Sequence, residues 1–258
     1  MHFANVIDTQ DRGFNYGDGF FTTAKVVDGK VVHWPLHQAR LVECAARLYF
    51  QPLDLVLIEQ KVAEVVADSA LAVVKIVITR GVGGRGYQPP RESSATVVVS
   101  LLPYPQHYDN LANTGIELGI SPIKLAKQPL LAGLKTLNRL EQVLIKQAMQ
   151  AENVDDVVVL DYDDHVVETS AANLLGVVNG QIVTPALTDC GILGVYLQHL
   201  MQRLAITAVT WPLSQWQQCD ALFVCNSLMQ LVAVKRLGTQ YWDMKQVKIL
   251  ARQFGLYE

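Results

Sequence analysis

The stretch AGLKTLNRLEQVLIKQA, residues 132–148, places Lys135 between a turn of small residues and what reads as the first turn of an amphipathic helix. A lysine side chain usually keeps its charged end in water, and such a residue needs no special explanation. The role of Lys135 must therefore be judged from the segments on either side of it.

The composition indicates a folded protein with a sizeable core. Of the 258 residues, 50% are hydrophobic and 17% are charged, which suits one large α/β domain or two smaller ones. The formal net charge is −3, and the scattered Lys and Arg residues form no basic face for nucleic acid. The N-terminal segment lacks a basic start followed by an apolar run, and no segment approaches the roughly 18 apolar residues of a membrane span. We therefore expect a cytoplasmic protein without nucleic-acid or membrane partners.

The four cysteines have no CxxC spacing. This argues against a zinc ribbon and against a disulfide framework, and no metal site is expected. Reduced, mostly buried thiols are expected at Cys44, Cys190, Cys219 and Cys225.

The first half of the chain alternates between strand and helix patterns. Two β-rich runs surround Asp28-Gly29 in residues 20–34, which predicts a hairpin. Helical periodicity follows in residues 35–48 and 53–70, and residues 71–80 and 94–102 read as strands.

The second half begins after the loose segment 103–115. The predicted elements there are a strand at 116–121, a helix containing Lys135, a strand at 155–161, short strands between 166 and 184, a helix at about 192–204, strands near 206–210 and 220–225, and a last helix within 242–256. These patterns predict an N-terminal α/β domain over residues 1–110, a linker over 111–120 and a C-terminal domain over 121–258.

A glycine-rich loop, RGVGGRGY at residues 80–87, fits the GxGxxG spacing of dinucleotide-binding folds. Such a fold needs a helix to begin at the loop, but Pro89-Pro90 excludes that helix. What remains is a flexible loop that carries Arg80, Arg85 and Tyr87, and either a solvated turn or a substrate-binding loop explains it.

Glu168 lies in an apolar strand context, and Asn173 follows it after four small or hydroxyl residues. A carboxylate in such surroundings needs a cation or a hydrogen-bond donor. The protonated ring nitrogen of pyridoxal phosphate is such a partner, and a lysine supplies the Schiff base that this cofactor also requires. Taken alone, Glu168 is better explained as a charge at a strand edge; together with Lys135 it favours pyridoxal phosphate.

These segments resemble the class IV, fold-type IV pyridoxal phosphate enzymes, which comprise branched-chain and D-amino-acid aminotransferases and aminodeoxychorismate lyases. The matching runs extend almost from end to end: DRGFNYGDGFFTTAKVVDGK, HQARL, VITRGVGGRGY, AGLKTLNRLEQVL, ETSAANLL, GILGVYLQ and FVCNSLMQLVAV. The runs GGRGY and AGLKTLNRLEQ are the most similar to the lyases. Leu175 and Leu197 depart from the family pattern, which usually has an aromatic and a basic residue there. The resemblance implies an α/β (α+β) fold with a smaller N-terminal α/β domain and a larger C-terminal β-barrel-like domain with helices.

By this resemblance, Lys135 forms the Schiff base with pyridoxal 5'-phosphate, Glu168 pairs with its pyridine nitrogen, and Arg40 of HQARL binds its phosphate. Without the family, an exposed helix charge would be the preferred explanation of Arg40. Asn138 is expected either to contact the cofactor or to cap the helix that follows. The remaining implied cofactor contacts are Asn173, Gly194, Val195, Tyr196 and Ser227.

The resemblance further implies a carbon-oxygen lyase that converts 4-amino-4-deoxychorismate to 4-aminobenzoate and pyruvate in folate biosynthesis. The substrate amine would replace Lys135 on the cofactor as an external aldimine, and the freed lysine would take the ring proton before enolpyruvate leaves. Thr22 or Thr23 is the candidate proton relay, unless these hydroxyls only cover a strand face. Two substrate carboxylates need cations, so Arg85, with Arg80 as second choice and Tyr87 beside them, would bind the substrate.

Two alternatives remain for the function. One is a D-amino-acid or branched-chain aminotransferase with the same lysine and cofactor, and the other is a catalytically idle carrier of pyridoxal phosphate. An idle carrier gains nothing from a carboxylate such as Glu168 that keeps the cofactor ring protonated and able to accept electrons. The family also implies a homodimer that acts on a small-molecule substrate.

Overall fold

The computed structural model describes residues 1–257, and the chain divides into two compact units. The N-terminal unit contains Met1–Tyr104 and Leu134–Asn138, and the C-terminal unit contains Pro105–Gly133 and the residues from Arg139 onward. These bounds differ from the expected domain limits at 110 and 121. The difference arises because the expected linker forms a helix and a strand that pack within the C-terminal unit.

The N-terminal unit is built on a five-stranded sheet with the strand order β1-β5-β4-β2-β3. Its elements are β1 (His2–Phe3), α1 (Arg12–Tyr16), β2 (Gly19–Val27), β3 (Lys30–Val31), α2 (Trp34–Arg47), α3 (Leu55–Val66), β4 (Leu71–Thr79) and β5 (Thr96–Pro103). The pairs are antiparallel except for β1 with β5. The predicted hairpin is confirmed, and Asp28 and Gly29 supply its turn with φ angles of 46° and 69°.

The side chains of β2 alternate between two faces of this sheet. Phe20, Ala24 and Val26 are fully buried and join α2 and α3 in one hydrophobic cluster, whereas Phe21, Thr23 and Lys25 are partly exposed. Strand β2 pairs with β4 without a register shift from Gly19↔Thr79 to Val27↔Leu71. One face of the strand therefore lies in the core, and side chains on the other face are partly accessible.

The C-terminal unit contains a mixed nine-stranded sheet with the order β11-β10-β9-β12-β13-β6-β7-β8, and β14 pairs with β13. Its elements are α4 (His107–Thr114), β6 (Ile116–Ile120), α5 (Leu140–Met149), β7 (Asp156–Leu160), β8 (Val166–Thr169), β9 (Asn173–Val178), β10 (Gln181–Pro185), α6 (Val195–Met201), β11 (Ile206–Val209), α7 (Leu213–Trp216), β12 (Ala221–Asn226), β13 (Gln230–Leu237), β14 (Gln240–Tyr241) and α8 (Met244–Gln253). The mixed α/β class is thus confirmed.

Central strand β12 contributes to two of the buried clusters of this unit, one on each of its faces. Leu222 and Val224 contribute to one buried cluster, whereas Ala221, Phe223 and Cys225 contribute to another on the opposite face. A strand covered on both faces reads as a continuous apolar run, as this one does. No helix among residues 1–257 is long and apolar enough to cross a bilayer.

The prediction that a helix contains Lys135 is wrong, because α5 begins only at Leu140. The backbone around Lys135 is extended and bonded to β2: the N–H of Phe21 donates to Lys135 O over 2.9 Å, and the N–H of Leu137 donates to Gly19 O over 3.0 Å. These bonds to a strand distant in sequence hold the segment outside the helix.

The segment 103–115, expected to be loose, contains helix α4. Tyr108 and Leu111 of this helix pack against a core cluster of the C-terminal unit, so tertiary contacts stabilise it. Strands β1, β13 and β14 were also not predicted.

Candidate active site

Lys135 is half-buried in the N-terminal unit, and its backbone carbonyl accepts a hydrogen bond from Phe21 of β2. Its neighbours Leu134 and Thr136 are each 2% exposed, and Thr136 pairs with Phe20 of β2. The side chain of Lys135 points to the other side, where its Nζ lies 4.7 Å from the centre of the Phe21 ring. A lysine with a fixed backbone and a directed side chain suits a reactive role better than a mobile surface lysine does.

The two candidate hydroxyls of β2 lie on opposite faces of the strand. Thr22 is fully buried, and its Oγ1 lies 2.6 Å from Nδ1 of His37 on α2. Burial, followed by the charge of Arg40, lowers the pKa of His37 to about 3, so this histidine is neutral near pH 7. Thr23 is half-buried and shares the strand face of Phe21, over which the ammonium of Lys135 lies.

Arg40 lies on the core-facing stripe of α2 rather than on its solvated face. It is 6% exposed and lies one turn after the buried His37. Burial lowers the pKa of Arg40 to about 10, so the side chain remains cationic at neutral pH. A buried cation is costly unless anionic groups meet it, and a phosphate group is one such anion.

Glu168 and Asn173 hold one short segment of the C-terminal unit. Glu168 is 5% exposed, and its Oε2 accepts a hydrogen bond from the N–H of Ile192 over 2.9 Å. The amide of Asn173 donates to Ile192 O over 2.8 Å and accepts from the N–H of Gly194 over 2.9 Å. The position of this segment is therefore set by two side chains that the sequence singled out.

A cation also lies near Glu168. Burial lowers the pKa of Arg139, while the negative charge of Glu168 acts in the opposite direction. The guanidinium of Arg139 and the carboxylate of Glu168 therefore attract each other.

The other candidate cofactor residues contribute in different ways. Val195 and Tyr196 begin the seven-residue helix α6 with buried side chains, so only their backbone groups are available. Ser227 lies in the turn between β12 and β13 and is half-buried. Asn138 does not cap α5, because the N-cap of that helix is Arg139. The Nδ2 of Asn138 instead donates a hydrogen bond to Gly17 O over 3.1 Å.

The two residues that depart from the family pattern are both buried. Leu175 and Leu197 are at most 1% exposed and lie in the same apolar cluster.

Arg80 differs from the other loop candidates because its donors are engaged within the protein. It is 7% exposed, its Nε donates to Asp18 over 2.8 Å, and its terminal nitrogens donate to the carbonyls of Leu48 and Tyr49. Arg85 and Tyr87, in contrast, are exposed. Of the two arginines considered for the substrate carboxylates, only Arg85 has a side chain in solvent.

Two residues of this region, Asp18 and His37, were not singled out from the sequence. Burial by itself would raise the pKa of Asp18, but hydrogen bonds from Arg80 and Arg12 outweigh it and lower the pKa. An acidic residue between two glycines at the start of an apolar strand was the available signal. For His37, the signal was its place one helical turn before Arg40 in HQARL.

Comparisons with known proteins find similar sequences and structures. The family model described as Amino-transferase class IV matches residues 19–237. The chain is 34% identical over 233 residues to aminodeoxychorismate lyase of Vibrio harveyi, covering 88% of this chain and 86% of that protein. The crystal structure of 4-amino-4-deoxychorismate lyase from Pseudomonas aeruginosa superposes with a TM-score of 0.88 at 34% identity, covering 98% and 97% of the two chains. A D-alanine aminotransferase of Listeria monocytogenes serotype 4b is 23% identical over 260 residues, covering 95% and 88%.

Proposed function

Because the chain belongs to the class IV aminotransferase family of pyridoxal-phosphate-dependent enzymes, we propose that it converts 4-amino-4-deoxychorismate to 4-aminobenzoate and pyruvate, a step of folate biosynthesis. The observation that carries the proposal is the fixed, directed Lys135 in a chain that is 34% identical to a lyase along most of its length. The D-alanine aminotransferase relative is less similar, at 23%.

The charges of the chain fit pyridoxal 5'-phosphate. Arg40 is a buried cation suited to the phosphate, and Glu168 is a buried carboxylate suited to a protonated ring nitrogen. When bound, the cofactor supplies an aldehyde for a Schiff base and a ring that accepts electrons. Asn173 supports the segment that Glu168 contacts. The backbone groups of Gly194, Val195 and Tyr196, the hydroxyl of Ser227 and the amide of Asn138 complete the proposed cofactor contacts.

Lys135 has two tasks in this proposal. Its amine holds the cofactor before the substrate arrives and then accepts the proton from the amine-bearing carbon of the substrate ring. Its fixed backbone limits where the amine can reach, which favours transfer at one carbon. The loss of enolpyruvate then makes the substrate ring aromatic, so elimination is strongly favourable.

Thr23 and Arg85 serve the leaving group and the carboxylates of the substrate. Thr23 is preferred to Thr22 as the proton relay because the hydroxyl of Thr22 is enclosed with His37. Arg85 binds a substrate carboxylate, with Tyr87 beside it, because the donors of Arg80 are already used within the fold.

The test is a product assay that separates the lyase from an aminotransferase. Purified protein with cofactor is given enzymatically prepared aminodeoxychorismate, and in parallel D- or L-alanine or a branched-chain amino acid with 2-oxoglutarate. We expect equal amounts of 4-aminobenzoate and pyruvate, and little glutamate. Efficient glutamate formation without 4-aminobenzoate would replace the lyase by the aminotransferase alternative. The homodimer and the cytoplasmic location implied by the family remain part of the proposal.

A further inference from the structure

Arg12 is a buried arginine of the N-terminal unit to which the proposed reaction gives no role. It is 3% exposed and begins helix α1. Its Nε donates to Oδ2 of Asp18 over 2.8 Å, and its guanidinium carbon lies 4.9 Å from the centre of the Tyr16 ring. These contacts fix the plane and the direction of the guanidinium.

The remaining donors of Arg12 are used on the far end of the glycine-rich loop. One terminal nitrogen donates to Gly86 O over 3.0 Å, and the other donates to Tyr87 O over 2.9 Å. A longer contact of 3.5 Å reaches Gln88 O. Three successive loop carbonyls therefore face one guanidinium, directly after Arg85 in the chain.

Three further contacts tie the loop to the same helix. The hydroxyl of Tyr16 accepts the N–H of Gly86 over 3.1 Å, and the rings of Tyr16 and Tyr87 meet edge to face at 5.8 Å. The backbone N–H of Arg12 donates to Gly81 O over 2.9 Å at the near end of the loop. Arg12 thus contacts both ends of the loop.

The charge of Asp18 does not explain why Arg12 is present. Arg80 also donates to Oδ2 of Asp18 over 2.8 Å, so the carboxylate keeps a cationic partner if Arg12 is replaced. Arg80 does not replace Arg12 at the loop carbonyls, because its other donors go to the carbonyls of Leu48 and Tyr49. The contacts specific to Arg12 are those to the loop.

We propose that Arg12 is a positioning residue that holds the glycine-rich loop in one conformation and so places Arg85 for a substrate carboxylate. The inference rests on the proposed lyase function for its substrate part alone. An unheld loop of this length samples many conformations, and ordering it at each binding event weakens substrate affinity.

The glycines of the loop provide a variant and its matched control. A Cβ added at Gly83 would lie 2.6 Å from Cδ of Arg12, so Gly83→Ala displaces the Arg12 side chain. A Cβ added at Gly84 meets no atom within 4 Å, so Gly84→Ala changes the loop composition without touching Arg12.

The experiment measures trypsin cleavage after Arg85 and steady-state kinetics with aminodeoxychorismate on the cofactor-loaded protein. For Arg12→Met and Gly83→Ala we expect cleavage at Arg85 and KM to rise about tenfold, with kcat changed much less. Gly84→Ala should match the wild type in both. Thermal unfolding checks that each variant is folded, and Gly83→Ala carries the test if Arg12→Met does not fold.

Unchanged cleavage in folded Arg12→Met or Gly83→Ala would overturn the proposal. Faster cleavage with an unchanged KM would overturn the claim that Arg12 places Arg85 for the substrate, because Arg12 would then hold the loop without affecting substrate binding. If the wild type forms no 4-aminobenzoate, the proposed function fails, yet the cleavage measurement still decides whether Arg12 holds the loop.

Discussion

Replacing Arg40 by methionine is expected to weaken cofactor binding without destabilising the cofactor-free protein. Arg40 is 6% exposed, and burial lowers its pKa from 12.5 to about 10. This net shift corresponds to about 3 kcal/mol against the charged form, and burial is its largest cause. Methionine keeps much of the apolar stem and removes the charge, so the free energy of unfolding of the cofactor-free protein should stay the same or rise.

Cofactor binding, in contrast, should become weaker in Arg40→Met. A charge-assisted bidentate contact with phosphate contributes about 2 to 4 kcal/mol, so the dissociation constant of pyridoxal phosphate should rise roughly thirty- to a thousandfold. Urea unfolding of the cofactor-free protein and absorbance titration with the cofactor measure the two quantities. Unchanged or higher stability of the cofactor-free protein, combined with weaker cofactor binding, distinguishes a phosphate-binding cation from a residue that only supports the core.

Arg47 provides the matched control on the same helix. It forms a surface ion pair with Glu43 over 3.4 Å, so Arg47→Met should change stability by less than about 0.5 kcal/mol and leave cofactor affinity unchanged. The reasoning would be refuted if Arg40→Met lost several kcal/mol of stability yet bound the cofactor as tightly as the wild type.

The remaining predictions concern three other side chains. Lys135→Ala should abolish pyruvate and 4-aminobenzoate formation together, and loss of only one product in a coupled assay would contradict the double role of the lysine. Arg85→Ala should keep the bound, coloured cofactor but lower turnover of aminodeoxychorismate about thirty- to several-thousandfold, the effect of about 2 to 5 kcal/mol; wild-type kinetics would exclude Arg85 from substrate binding. His37 has a folded-state pKa of about 3, below its ordinary 6.5, so between these pH values the unfolded chain takes up a proton that the folded protein does not, and stability falls as the pH falls. His37→Asn removes this uptake of one proton, so the free energy of unfolding of the variant should fall less between pH 7 and pH 4 than that of the wild type. An equal fall for the two proteins in urea unfolding would show that His37 is not held neutral.

The local patterns of the N-terminal half sufficed to predict its hairpin, both long helices and the strands on either side of the glycine-rich loop. The period of apolar residues and the turn residues Asp28-Gly29 are properties of short segments. Lys135 shows where this reasoning ends, because its extended conformation depends on bonds to β2 more than a hundred positions away. The helical pattern after it is real, but it begins at Leu140.

The same distinction holds for the candidate site. The residue types at Arg40 and Glu168 were recognised from the sequence, and both prove to be buried. The sequence left Thr22 and Thr23 equivalent, because their difference comes from His37 on a separate helix. It also grouped Arg80 with Arg85, although Asp18 and two distant carbonyls engage only the former. Partners that are remote in sequence decided each of these cases.

The most direct test of the central claim is to locate the lysine that carries the cofactor. The purified, cofactor-loaded protein is reduced with borohydride and digested, and the modified peptide is identified by mass spectrometry. We expect a yellow protein whose colour is lost on reduction and a single pyridoxyl adduct on Lys135. An adduct on another lysine, or no adduct in a protein saturated with pyridoxal phosphate, would contradict it.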